Sequence, residues 1–360
     1  DMKAWNSIRQ TALSNDGRWF AYVVSPTEGN ATLVVRGTAQ GANETRIPVG
    51  ENGGSIQISG DSRWIGYLVA PPRVDSAARG RGAGRGGPGA APGGGTPAQA
   101  ADTAAPRPTA NKFVLMNLAS GEKKEFDRIR RFTYNADTVT WVGLVGYPVG
   151  AAAAPAGAAQ GRGGAPGAGL PAGNSAGGAN VLLYQIATGE LFNMGLVGEF
   201  TFDQSGDWLA YTMDSPDQVG NGVQLRHMKT NVVRSIDSEQ MIYRHLLWTD
   251  SSRALGVMRG KIDVARRDTT FSLVAFTGFG ATGPARRLVF DPSGRKDFPK
   301  DWKLASERAP RYAMDLSAVF FGIREGVKPA DRTVAGGRSG IAPGAPGAGG
   351  TINQTGGRAG

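Results

Sequence analysis

The sequence contains no cysteine and only two histidines, His227 and His245, among its 360 residues. A disulfide scaffold, a thiolate nucleophile and a cysteine-ligated metal are therefore excluded, although the compartment stays open because periplasmic proteins also lack cysteine. Apolar runs long enough to span a bilayer, about 18 residues, are absent. Helical periodicity of useful length is absent too. Asp1 is not followed by a basic n-region and an apolar core, so the expectation is that any signal peptide has been removed or was never included. Aromatic residues are missing from three stretches, 74–111, 148–180 and 330–360, which hold 29 of the 55 glycines. These stretches cannot build a core and read as disordered surface inserts and a Gly-rich tail. They also carry about half of the formal net charge of +10, and elsewhere no run reaches four basic side chains. The basicity alone is thus a poor argument for a nucleic-acid partner.

The remaining residues carry all 14 Phe, 8 Tyr and 7 Trp, enough for a sizeable core. They also repeat. Leu13-Ser14-Asn15-Asp16-Gly17-Arg18-Trp19-Phe20-Ala21-Tyr22 returns as Ile58-Ser59-Gly60-Asp61-Ser62-Arg63-Trp64-Ile65-Gly66-Tyr67, a spacing of 45 from Trp19 to Trp64. Phe202 to Tyr211 is a third copy with Trp208-Leu209-Ala210-Tyr211, and Asp250 to Val257 a weaker fourth. Degenerate copies run from Phe132 to Trp141 and from Met314 to Ile323, where Phe320-Phe321-Gly322-Ile323 stands in for Trp-Ile-Gly-Tyr. The Ser-x-Asp-Gly element reads as a turn, because short polar side chains bond their own backbone and glycine accepts positive φ. The apolar alternation after it reads as a strand buried on both faces.

A second half-motif follows each copy, as in Phe113 to Glu122 and Val181 to Glu190, whose Ala-Ser-Gly-Glu and Ala-Thr-Gly-Glu ends read as hairpin turns. Four short strands per repeat of about 45 residues describe a β-propeller blade. The expected fold is all-β: a propeller over residues 1–329, interrupted by the inserts at 74–111 and 148–180 and followed by the tail at 330–360. Five to six blades are counted, the last one or two ill-defined after Gly260, so the ring is expected to be incomplete.

Trp5, Ile8 and the run Ala12 to Tyr22, with Ser25-Pro26-Thr27-Glu28-Gly29-Asn30 after it, resemble the start of the non-catalytic propeller in bacterial prolyl oligopeptidase-family serine peptidases. The Ser-x-Asp-Gly-x-Trp-x-Ala-Tyr signature is also similar to TolB-like propeller repeats. The first resemblance implies an exported, periplasmic or secreted peptidase. In such enzymes the propeller gates access for peptide substrates to an α/β-hydrolase domain, and that domain is not in this chain. The second implies a stand-alone periplasmic interaction module.

Other candidates are weaker. Gly173-Asn174-Ser175-Ala176-Gly177 fits G-x-S-x-G, with Asp203 or Asp214 and His227 or His245 in the right chain order, but Ser175 lies in a Gly/Ala/Pro tract with no helix after it. Two histidines without paired carboxylates at ligand spacing make no metal site. Asp16, Asp61 and Asp207 read as turn residues rather than cation ligands, and Trp19, Trp64 and Trp208 as blade-to-blade packing. Arg79, Arg81 and Arg85 sit in an Arg/Gly run that would contact RNA only through guanidinium groups, since no aromatic interleaves them. No catalytic, cofactor-binding or metal-binding residue is assigned, no cofactor is expected, and no membrane contact is implied.

Overall fold

The structure, a computed structural model, describes residues 5–51, 53–72, 110–147, 177–263, 268–280 and 283–326. The Ser175 tract, the Arg79–Arg85 run, most of both inserts and the tail lie outside the described residues. Within them the chain is all strand, arranged as successive antiparallel sheets. Blade 1 is β1 (Asn6–Leu13), β2 (Trp19–Pro26), β3 (Asn30–Gly37) and β4 (Glu44–Glu51). Blade 2 is β5 (Ile56–Ile58), β6 (Trp64–Val69), β7 (Lys112–Asn117) and β8 (Lys123–Phe126). Blade 3 is β9 (Ile129–Tyr134), β10 (Trp141–Gly146), β11 (Ala179–Gln185) and the first half of β12 (Leu191–Phe202). The second half of β12 opens blade 4, which continues through β13 (Trp208–Met213), β14 (Gly222–His227) and β15 (Val233–Ser238). Blade 5 is β16 (Ile242–Trp248), β17 (Ala254–Asp263), β18 (Asp268–Gly280) and β19 (Gly283–Phe290). A sixth unit has two interrupted strands, β20 (Trp302–Leu304) with β21 (Arg311–Tyr312), and β22 (Val319–Phe320) with β23 (Ile323–Glu325).

Both long inserts leave from the hairpin between a blade's second and third strands. Val69 stays paired with Lys112, and Val145 with Val181, so the ladder closes beneath each insert. Every junction is made by the first strand of the following blade, which meets the first strand before it in β1 with β5 and β12 with β16 and the inner sheet face in β9 with β6 and β7 and β20 with β18. The first strands therefore surround the axis and the fourth strands lie outside. The Ala-Ser-Gly-Glu and Ala-Thr-Gly-Glu sequences form the expected hairpins, with Gly121 and Gly189 at φ 74° and 75°.

The repeated turn joins the first and second strands by one bonding scheme. The Ser14 hydroxyl accepts the Trp19 N–H at 2.9 Å and donates to Asp16 at 2.6 Å. Ser59 does the same with Trp64 and Asp61. In blade 4 the roles are exchanged: the Asp203 carboxylate accepts the Trp208 N–H at 2.8 Å and the Ser205 hydroxyl at 2.5 Å. Asp203, not Asp207, is thus the turn acid here, because the bond must come from five residues before the tryptophan. Asp207 instead pairs with Lys229 at 2.9 Å. Thr249 serves Ala254, and Asn135 serves Trp141 from a turn one residue longer. Backbone bonds place Ala318, not Phe320, at the tryptophan position of the sixth unit, since Ala313 bonds Ala318 as Ser14 bonds Trp19. Phe320 is two residues further along than its sequence likeness suggests.

These turns also join one another around a rim. Asn15 donates to the Gly60 carbonyl at 3.0 Å, Asp61 N–H to Asp137 O at 2.9 Å, and Asn135 to Gly206 O at 3.3 Å. Gln204 N–H reaches Ser252 at 2.8 Å and Arg253 the Met314 carbonyl at 2.7 Å. Below the rim the sheets bury their faces in successive clusters, with Trp19, Trp64 and Trp208 packed in the interfaces after their own blades, as blade packing requires.

Two residues past the turn-bonded position stand Ala21, Gly66, Gly143, Ala210 and Gly256. A Cβ on Gly66 would lie 2.7 Å from Phe132 of the next blade, and one on Gly143 2.8 Å from Phe200. Gly256 abuts the Tyr312 hydroxyl. Small residues are needed where the next blade's inner strand brings an aromatic ring against the sheet.

Among the described residues the ring is not closed: none packs as a blade on the open face of blade 1, so Phe20, Tyr22 and Val24 are only half-buried, and the expectation that this strand is covered on both faces fails there. Ile8 and Leu13 are exposed, as is Phe320 on the last unit. Buried acids tie the late blades together. Asp237 meets Arg259 at 3.3 Å and Arg287 at 2.5 Å, and Asp268 meets Lys303 at 2.7 Å and Arg324 at 2.6 Å. Burial alone would raise the Asp268 carboxyl, but these two cations and the Thr269 N–H hold it well below the usual carboxylate range.

Gly256→Ala is expected to force Tyr312 out of its seat and lower the unfolding free energy by about 1–3 kcal/mol. Chemical denaturation reads this, and an unchanged midpoint would contradict the packing assigned to Gly256.

Candidate functional site at the inner strands

The strands around the axis share an irregularity. In blade 1 the β1–β2 register slips between Ile8 and Gln10, and in blade 3 the β9–β10 register slips between Ile129 and Arg131. The slip falls between Val197 and Phe200 in blade 4 and between Arg244 and Leu247 in blade 5. In blade 2 β5 gives way to Gly53-Gly54, where the Leu68 N–H still reaches Ser55 O at 3.0 Å. In the sixth unit pairing lapses between Leu304 and Arg311. Each break lies beside about the fifth residue of the blade's second strand, so the bulges form one level around the axis. Bulges bend a strand and re-aim its side chains.

At this level side chains bridge to the next blade's inner strand. The Gln10 side-chain Oε1 accepts the Ile56 N–H at 3.0 Å. Glu199, 4% exposed, accepts the His245 N–H at 3.1 Å through Oε1 and the Leu246 N–H at 2.7 Å through Oε2. His245 takes a left-handed φ of 58°, which turns these successive N–H groups onto one carboxylate. Its Nε2 lies 2.7 Å from the Ser306 carbonyl and so carries the proton in that bond. Burial pushes the Glu199 carboxyl up, against the pull of the two N–H groups and of Arg244 and His245. Asp214 is half-buried and also pushed up by burial, with Arg244 opposing.

The four acid and base residues named from the sequence do not come together. Asp203 is spent on its turn. The Nδ1 of His227 lies 2.9 Å from Thr230 at the hairpin after β14, and the His227 ring meets Trp208 edge-on at 4.6 Å. His245 serves the blade junction and Asp214 follows β13. Among the described residues none of the four hydrogen-bonds another, and no group of three or more metal-ligating side chains occurs. No helix among them is long and apolar enough to cross a membrane.

Gln10 and Glu199 were not singled out from the sequence, though each stands nine residues before its blade's tryptophan, Trp19 or Trp208. That shared offset was the available signal.

No family model matches the chain, and no curated protein matches it. Among solved structures it is similar to TolB from Acinetobacter baumannii, at 10% identity over 76% of this chain and 52% of that one, TM-score 0.30. It is similar to Pyrococcus horikoshii acylaminoacyl peptidase at 10% identity over 84% of this chain and 41% of that one, TM-score 0.36. The propeller domain of the Trilobed protease from Pyrococcus furiosus, described as having an open velcro topology, is matched at 10% identity over 84% and 75%, TM-score 0.38. The chain thus spans about half of TolB and less of the peptidase. The propeller assignment rests on the blades themselves.

Glu199→Ala leaves two buried N–H groups without an acceptor and is expected to lower the unfolding free energy by about 2–4 kcal/mol. A loss below about 0.5 kcal/mol in denaturant titration would contradict the bridging role.

Proposed function

We propose that this chain is the non-catalytic propeller of an exported prolyl oligopeptidase-family serine peptidase, limiting the access of peptides to an adjoining α/β-hydrolase domain. The observation that supports this reading is the Ser-x-Asp-Gly-x-Trp-x-Ala-Tyr repeat, spent wholly on turns and blade packing around an axis. It leaves the inner strands and the open rim as the functional surface. The mechanism is steric. Rigid blades set the width of the passage, and loops at its mouth meet the peptide backbone. Bond cleavage is assigned to the adjoining domain, because Asp203, His227 and His245 are bonded to separate partners and Asp214 meets none of them.

A second reading is a stand-alone, TolB-like interaction propeller. The exposed apolar side chains of the end blades, Ile8, Leu13 and Phe320, favour it. The two readings part at the gene: a Gly-x-Ser-x-Gly between a strand and a helix downstream of codon 360 is expected for the first, and a stop codon soon after it would refute it.

A serine-directed fluorophosphonate probe is expected to leave the 360-residue chain unlabelled. Labelling at Ser175 would overturn the assignment of a non-catalytic domain.

A further inference from the structure

The bulge level on the inner strands carries arginine with a regularity that the fold does not require. Arg9 is the slipped residue of β1, and Arg130 the slipped residue of β9, with Arg131 beside it. Arg244 borders the slip in β16, and Arg308 lies in the lapse between β20 and β21. Counted from the turn, Arg9, Arg130, Arg244 and Arg308 occupy the same position of blades 1, 3, 5 and 6, while blades 2 and 4 have Gly54 and Gly198. Arg9, Arg130, Arg131 and Arg308 are exposed and Arg244 is half-buried. Among the described residues no carboxylate forms an ion pair with any of the five, whereas Arg259, Arg287 and Arg324 are all paired.

We propose that this level of the inner strands is an anion-binding ring that takes the carboxylates of an extended acidic peptide. Guanidinium groups pair with carboxylates through two parallel hydrogen bonds, and a β-bulge is the local device that aims a side chain off the sheet. Like charges gathered at one level of the blades repel, a cost that an anion relieves. The acids facing the same level decide the class of ligand. Glu199 and Asp214 stand beside Arg244, and Glu307 next to Arg308 reaches Arg324 at 3.7 Å. Glu199 and Asp214 break the basic ring at blade 4 and Glu307 interrupts it at the sixth unit, which disfavours a continuous polyanion such as nucleic acid and suits a peptide with a few spaced carboxylates. This goes beyond the gating role and holds for the propeller whether or not a hydrolase domain adjoins it.

The test is fluorescence anisotropy of the full chain with a fluorescein-labelled hexaglutamate peptide, against hexalysine and a single-stranded DNA hexamer. Saturable hexaglutamate binding that weakens with salt is expected, with hexalysine unbound and the DNA weaker. Arg9→Ala with Arg130→Ala is expected to weaken it by about tenfold or more. Arg46→Ala with Arg234→Ala, on the outer strands β4 and β15, removes the same charge and is expected to change it less than about twofold. Circular dichroism melts verify that both double variants fold. If the inner pair unfolds the chain, Arg9→Lys with Arg130→Lys replaces it, with weakened binding again expected because lysine lacks the fork. Equal losses in the inner and outer variants, no hexaglutamate binding, or tighter binding of the DNA would each overturn the proposal.

Discussion

The described molecule depends on one steric constraint: a blade's second strand must offer Gly or Ala where the next blade's inner strand presses a ring. Gly66 faces Phe132, Gly143 faces Phe200 and Gly256 faces Tyr312. A larger residue would hold the sheets apart and open every contact beyond it. Such a close approach lets dispersion and apolar burial accumulate along each interface, and aromatic partners add large buried areas there. The turn bonds act with this constraint. Each fixes where its second strand begins, and so which residue meets the ring.

The sixth unit shows the same rule from the other side. Its small-residue position carries Phe320, 64% exposed. The face that Phe320 occupies therefore differs from the corresponding face of the five blades before it. At the opposite end, blade 1 offers Phe20, Tyr22 and Val24 at positions that later blades cover. The two ends of the stack are thus chemically unlike, one with a row of apolar side chains and the other with a bulky ring where packing elsewhere needs a gap.

Much of this was legible before the structure. The turn sequence names its own bond partners, so Ser14 and Ser59 could be placed from the tryptophan five residues on, whereas in blade 4 Asp207 took the place of Asp203 because serine and aspartate exchange roles there. The hairpins at Gly121 and Gly189 follow from their sequences in the same way. In the sixth unit the aromatic residues that resemble the repeat stand two positions beyond the register, which is set by the backbone bond between Ala313 and Ala318. The bridges from Gln10 and Glu199 were missed for a different reason. They join groups about 46 residues apart at a bulge, and a slip in one strand is a property of the pair rather than of either sequence. Asp237 and Asp268 likewise become ion-pair centres only when neighbouring blades supply arginine and lysine.

Successive repeats stand side by side with their turns on a shared rim. The absence of cysteine permits a clean test, since any disulfide must come from introduced residues. Asp16 and Ser62 are joined by a 3.2 Å bond between blades 1 and 2, whereas Asp16 and Ser252 belong to blades 1 and 5. Mild oxidation of the Asp16→Cys/Ser62→Cys chain should give a nearly complete intramolecular disulfide, while Asp16→Cys/Ser252→Cys stays reduced. No bridge in the first variant, or equal bridging in both, would contradict this arrangement of blades.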